Sequence, residues 1–195
     1  LDAFLKSGYC RIAGSPPVIR FRNGSAIFLC HCQYERDVMK YQGVEIHALL
    51  IDELTHFSEP VYRSLRARCR VPSELKRFTP PPRLPLILCG ANPGGPGHNW
   101  VKASFIDFAV PLEIRRMPKT EGGMLRQYIP ARLADNPSLD AEEYSARLLG
   151  LRSPYLVKAM LEGSWDIVAG GMFDDLWDPG VHVISPFEIP LSWRI

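Results

Sequence analysis

At 195 residues the chain is long enough for one sizeable core, or for one domain with a small appendage. Its composition, 46% hydrophobic and 23% charged, is that of an ordinary soluble globular protein, and a formal charge of +2 argues neither for nor against a nucleic-acid partner. No apolar run approaches the ~20 residues of a membrane span, and no signal peptide is evident.

The cysteines, Cys10, Cys30, Cys32, Cys69 and Cys89, are odd in number and form no C-x-x-C pair, so neither a disulfide framework nor a zinc ribbon is indicated. Cys30-His31-Cys32 read as a strand would place its two thiols on one face and the imidazole on the other. Buried, reduced thiols are the expectation, and a reducing, intracellular setting follows.

In chain order, Val18 to Leu29 reads as a β-hairpin. Two apolar runs flank Asn23-Gly24, the pair a type I′ turn prefers because both residues adopt positive φ. Tyr34 to Gly43 is polar and reads as a loop or short helix. His47-Ala48-Leu49-Leu50-Ile51 then ends abruptly at Asp52-Glu53, followed by the polar turn Leu54 to Ser58. A short apolar run bounded by turn signals has the pattern of a strand buried on both faces. Open parallel sheets place ligands at the C-terminal ends of such strands. Adjacent carboxylates there suit a divalent cation and a proton acceptor, as in ATPases. The same pair also serves elsewhere simply to begin a loop or cap a helix.

Ser58 suits an N-cap, and Glu59 and Pro60 suit a first turn, for a helix running to about Arg70. Val61, Leu65 and Cys69 form its inner stripe. Arg63, Arg66 and Arg70 line the other face, whereas Arg68 falls beside Val61 and needs an anionic partner, from the protein or from a ligand. Prolines cluster from Pro80 to Pro85 and introduce a second buried strand, Leu86 to Cys89, ending in the glycine-rich turn Gly90 to Gly97. Two apolar strands joined through a helix suggest parallel neighbours in an α/β sheet. The turn is not a phosphate loop. Gly90 and Gly95 have the spacing of G-x-x-x-x-G-K-[ST], but Pro96 and Gly97 stand where lysine and the hydroxyl belong.

Further on, Trp100 to Phe108 is amphipathic and Arg115 to Gly123 reads as a polar, mobile loop. Asp140 opens a helix with the stripe Ala141, Tyr144, Leu148 and Leu151, which Gly150 terminates. Ser153-Pro154 opens another, closed by Gly163. The two look like a small subdomain packed on the sheet. From Trp165 glycine, proline and aromatics dominate, and His182 to Ile195 is apolar and broken by proline.

An ordered series now stands along the chain: Asn23-Gly24-Ser25, Ile27, Phe28, Lys40-Tyr41-Gln42-Gly43, Leu50-Ile51-Asp52-Glu53, Phe57, Tyr62, Leu65, Arg68, Arg70, Asn92-Pro93-Gly94-Gly95, His98, Trp100-Val101-Lys102 and Phe105-Ile106. It continues with Tyr128-Ile129-Pro130-Ala131-Arg132, Asp135-Asn136-Pro137, Leu139, Tyr144, Leu148, Leu151, Leu161, Gly163, Trp165-Asp166 and Gly170. Over roughly residues 20 to 193 this resembles the large terminase subunit of tailed bacteriophages, the ATP-driven motor that packages DNA into a procapsid.

The resemblance implies an α/β fold: part of a P-loop NTPase sheet of the ASCE type, with parallel strands, flanking helices and a small helical lid or linker. Residues 1–135 would form the C-terminal part of the ATPase core, and 136–195 the lid and connector. Asp52 would hold Mg²⁺ through water at a Walker B strand end, and Glu53 would be the general base. Adjacent strand residues point opposite ways, which suits that division. Asn92 would sense the γ-phosphate and couple hydrolysis to the lid. An amide suits this because it orients water or phosphate without repelling either, although Asn before proline also suits a plain turn. Arg68 and Arg70 would contact phosphate, DNA or a neighbouring subunit. Arg36 is a weaker candidate for an arginine acting in trans. ATP and Mg²⁺ are the implied cofactors. The implied partners are double-stranded DNA, the portal protein, the small terminase subunit and other copies in a ring, in the cytoplasm of a bacterial host and without a membrane.

The departures weigh equally. The Walker A loop and adenine-binding segment are expected before Leu1, and a two-metal nuclease domain after Ile195. Without the phosphate cradle, weak ATP binding and negligible turnover are expected. Two alternatives stand beside the motor: another ATPase such as a helicase, which leaves the Tyr128 to Gly170 series unexplained, and a degenerate prophage product or truncated fragment acting as a folded, non-catalytic interaction module.

Overall fold

The computed structural model describes residues 2–32, 34–76, 84–138, 140–150, 154–166, 179–188, 190 and 193. The chain divides into two units, Leu1–Val44 and Glu45–Ile195.

In the first unit, a short helix α1 (Asp2–Lys6) turns at Gly8 (φ 68°) into an antiparallel sheet of β1 (Cys10–Ala13), β2 (Val18–Phe21) and β3 (Ala26–Phe28), in that order. The expected hairpin is present, but its turn is of another kind. Gly24 takes a positive φ of 85° and Asn23 does not. The Gly24 N–H bonds Phe21 O (3.1 Å) and Phe21 N–H bonds Ser25 O (2.9 Å), the pattern of a type I turn followed by a left-handed glycine. The cause lies one strand away. Arg22 donates its N–H to Tyr9 O (3.0 Å) and so stays in the ladder with the chain leading into β1. Asn23 contributes its side-chain oxygen, which accepts the Ser25 N–H (3.0 Å).

Alternation puts Cys10, Ile19 and Phe21 on one face, with Cys10 and Ile19 buried. Tyr34 to Gly43 holds a 3₁₀ turn, Glu35–Tyr41, locked where buried Asp37 accepts the Tyr34 N–H (3.0 Å) and pairs with Lys40 (2.8 Å). The expectation of buried thiols fails at Cys30, which is exposed. β3 ends at Phe28, so the Cys30-His31-Cys32 segment lies beyond the strand.

The second unit is mixed α/β around a small parallel pair, β4 (Ala48–Ile51) and β5 (Leu86–Cys89), in register from Ala48↔Leu86 to Ile51↔Cys89. Between them run a 3₁₀ turn (Leu54–His56), α2 (Glu59–Arg66) and α3 (Ser73–Lys76). The helix expected to reach Arg70 stops at Arg66. Beyond it the chain straightens beside the lead-in to β4, where Ile46 N–H donates to Arg68 O and Arg70 N–H to Ile46 O (both 3.0 Å). Val61, Tyr62 and Leu65 are buried and Cys69 half-buried. Ser58 stands at the N-cap position but makes no capping bond there.

Burial on both faces is not what β4 and β5 show. Ile51 is buried, whereas Leu50, Leu86 and Leu88 are 64%, 46% and 55% exposed. An apolar run encodes two apolar faces. The second covering layer comes from elsewhere in sequence, and among the described residues none is supplied.

α4 (His98–Val101) continues into a π-helical turn, Lys102–Ile106; Trp100 from the first and Phe105 from the second meet Tyr62 (ring centroids 5.2 and 5.8 Å). The expected polar loop is present over 117–123, and it joins a two-residue strand on either side, β6 (Arg115–Arg116) paired with β7 (Leu125–Arg126). Two anchors order it: buried Met117, and Glu121, which bonds Arg63 at 2.7 Å.

Asp140 caps α5 (Ala141–Leu149) as expected, accepting the N–H groups of Glu142 and Glu143 (3.0 Å each). Gly150 ends it in right-handed rather than left-handed geometry (φ −63°). α6 (Pro154–Glu162) closes at left-handed Gly163 (φ 65°), with Ser164 N–H on Ala159 O (3.0 Å). α5 packs on α6, and a last short helix, α7 (Pro179–His182), follows. Leu139, Leu151, Ser153 and Gly170, named in the sequence reading, lie outside the described residues. Among the described residues no helix is long and apolar enough to cross a membrane.

Candidate functional site

The parallel register brings the C-terminal tips of β4 and β5 level, so Asp52 follows Ile51 opposite Gly90. Three hydrogen bonds stitch the tips: Gly90 N–H to Ile51 O (2.9 Å), Leu54 N–H to Gly90 O (2.9 Å) and the Thr55 hydroxyl to Asn92 O (3.1 Å). The Asp52 carboxylate lies over Gly90, where a Cβ would come within 3.2 Å of Oδ1. Asp52, Glu53 and Asn92 are all exposed at this one end of the sheet.

Glu53 departs from the strand geometry expected of it. The strand ends at Ile51, and Glu53 is left-handed (φ 52°, ψ 52°), its N–H donating to Asp52 Oδ1 (3.0 Å). The separation of the two carboxylates therefore comes from a tight turn and not from strand alternation. A left-handed residue with a Cβ costs about 1–2 kcal/mol, and such strain persists where its surroundings over-determine it, often at functional sites. Here Leu54 and Thr55, 1% and 2% exposed, pin the chain immediately after the turn. Replacing Glu53 by glycine is expected to raise the urea midpoint, by the equivalent of about 1 kcal/mol. A lowered midpoint would mean that the carboxylate itself holds the turn.

The second loop wraps the first. Gly97 N–H donates to Thr55 O (2.7 Å), and Trp100 Nε1–H donates to Phe57 O (2.8 Å). Gly95 (φ 80°) lies where a Cβ would meet Thr55 O at 3.1 Å. Buried His98 takes the Gly94 N–H on Nδ1 (2.9 Å), so Nε2 carries the proton and donates to Trp165 O (3.2 Å). Its ring also stacks on Trp165 (5.4 Å, 25°). The loop bearing Asn92 is thereby tied to the segment following α6. At the end of β5, burial pushes the Cys89 thiol up to about 11, with Cys69 adding to the shift, so this thiol stays protonated at neutral pH.

The other candidates stand apart. Arg68 and Arg70 flank Ile46, at the opposite end of β4 from Asp52. Arg68 donates to Ser64 O at the end of α2, a carbonyl carrying the negative end of the helix dipole. Arg70 pairs with Glu45 (3.1 Å). Thr55 is the residue that sequence reasoning missed, since nothing local signals a hydroxyl that bonds a carbonyl 37 residues away.

No family model, no curated protein and no solved structure matches the chain.

Proposed function

We propose that the Glu45–Ile195 unit is the Walker B and coupling portion of a P-loop NTPase, the DNA-packaging ATPase of a terminase large subunit. The observation that carries this reading is that Asp52, Glu53 and Asn92 lie in the two turns that follow the tips of adjacent parallel strands, turns joined by the Thr55 hydroxyl on Asn92 O. Parallel sheets bind ligands at that edge. The donor set also fits Mg²⁺, which is commonly held by one or two carboxylates together with substrate phosphates and water. Among the described residues no group of three or more His, Cys, Asp or Glu side chains gathers, so an all-protein cage is not the arrangement proposed.

In this reading Asp52 holds Mg²⁺ through water and Glu53 accepts a proton from the attacking water. Asn92 meets the γ-phosphate, and its loop reaches the lid segment through His98 and Trp165. The core then spans 1–135 and the lid and connector 136–195. Duplex DNA, portal protein, small subunit and further copies are the partners, in the host cytoplasm. The exposed apolar face of Leu50, Leu86 and Leu88 is consistent with a parallel sheet that takes a further covering layer, because such sheets are covered on both faces. Arg68 and Arg70 are left for DNA or a neighbouring subunit, since their end of β4 is remote from Asp52. A second reading, the non-catalytic interaction module, is favoured by one observation: no G-x-x-x-x-G-K-[ST] occurs in the chain.

The test supplies in trans a polypeptide carrying such a loop and measures phosphate release. Negligible turnover is expected from the chain alone. The pair is expected to show DNA-stimulated release that Glu53→Gln lowers by about 10²-fold or more. Robust turnover by the chain alone would overturn the proposed division of labour. A stably folded pair without turnover would favour the interaction module.

A further inference from the structure

The overall charge of +2 conceals a segregation. The first unit carries Lys6, Arg11, Arg20, Arg22, Arg36 and Lys40 against Asp2, Glu35 and Asp37, a net +3, which leaves −1 on the remainder. Three of those cations stand together. Arg11 and Arg20 are directly opposed in the β1–β2 register. Arg22, in the turn just beyond β2, lines the same cleft as Arg11 and Arg20.

Like charges directly opposed across strands are destabilising, and an internal carboxylate would relieve them. Among the described residues no ion pair reaches any of the three, whereas Arg70 and Arg147 each have one and Arg63 has two. The Arg22 guanidinium lies against left-handed Gly8, where a Cβ would stand 3.3 Å from Nη2. Beside the arginines a cleft of ≈390 Å³ opens, reaching Ser25.

We propose that this arginine face binds the phosphates of a nucleic-acid backbone. Guanidinium forks match phosphate oxygens in bidentate geometry. Arg11 and Arg20, opposed across the strands, and Arg22 at the hairpin end set three such forks along one cleft, an arrangement that suits successive phosphates of one chain better than a single anion. An exposed, unneutralised row of cations also supplies what counterion release needs. The proposal rests on these three side chains and not on the Asp52 site, so either can fail without the other.

The experiment measures binding of a fluorescein-labelled 20-base-pair duplex to the whole chain by anisotropy, without nucleotide, across a KCl series. Wild-type binding is expected to weaken steeply with salt. The R11Q/R20Q/R22Q variant is expected to lose about tenfold or more in affinity at low salt, with a log–log salt slope shallower by about 2.7, at ~0.9 per phosphate contact. Lysine at all three positions restores the slope. Should the glutamine variant fail to fold, the wild type still decides: duplex shifts the Arg11, Arg20 and Arg22 Nε–H NMR signals, and equimolar inorganic phosphate leaves them in place. An unchanged slope in the folded variant, or arginine signals that duplex does not move, would overturn the proposal. So would inorganic phosphate moving them as strongly as duplex does, which would reveal a pocket for an isolated anion.

Discussion

Alanine at position 97 is expected to destabilise the second unit by about 3 kcal/mol, the upper range for overpacking a tight interior. The added Cβ would lie 2.6 Å from Phe57 O, 2.6 Å from Trp100 Nε1 and 2.8 Å from Thr55 O. Those carbonyl oxygens accept the bonds that join the two loops, from Trp100 and from Gly97 itself. Both oxygens belong to the backbone, so relief requires the two loops to shift apart and strains both bonds. Urea unfolding followed by tryptophan fluorescence measures the loss. A midpoint within the error of wild type would show that the loops are not closed on one another as described.

His98→Phe is expected to cost about 2–4 kcal/mol, and for a different reason. Phenylalanine keeps the ring, its burial and its stacking on Trp165. It removes the acceptor for Gly94 N–H and the donor for Trp165 O, both of which lie in a buried setting. Each orphaned polar group costs roughly 1–3 kcal/mol. If packing rather than hydrogen bonding held this junction, phenylalanine would be close to neutral, and the unfolding midpoint separates the two outcomes. In the ATPase reading the same variant also loosens the tie between the Asn92 loop and the segment after α6.

Much of the site's framework was legible because it rests on local pattern. Leu49 to Ile51 and Leu86 to Cys89 announced two strands by apolarity and turn residues, and their parallel pairing followed from the intervening helix. Asp140 and Gly163 marked helix ends through chemistry that acts within one turn. What escaped reading depends on partners far away in sequence. The early stop of α2 at Arg66 comes from pairing of Arg68 and Arg70 with Ile46. The loop after Arg116 was legible, but its tie to α2 through Arg63 and Glu121 was not. Glu53 looked like one more strand residue until Leu54 and Thr55 were seen to anchor the turn. The open face of Leu50 and Leu88 carries the same lesson, for a run of leucines specifies apolarity and not what covers it. Arg11 and Arg20 became a pair only through the β1–β2 register, which no hairpin signal foretold.

The most direct test of the Asp52–Glu53–Asn92 convergence is to add Mn²⁺ with ATP to the isotope-labelled chain and map paramagnetic broadening of its amides. The account predicts broadening centred on Asp52, Glu53, Gly90 and Asn92, lost in Asp52→Asn. Ile46 and Arg68 to Arg70, about 20 Å away along β4, should stay sharp. Broadening centred at that opposite end, or spread evenly over the chain and indifferent to Asp52→Asn, would contradict it.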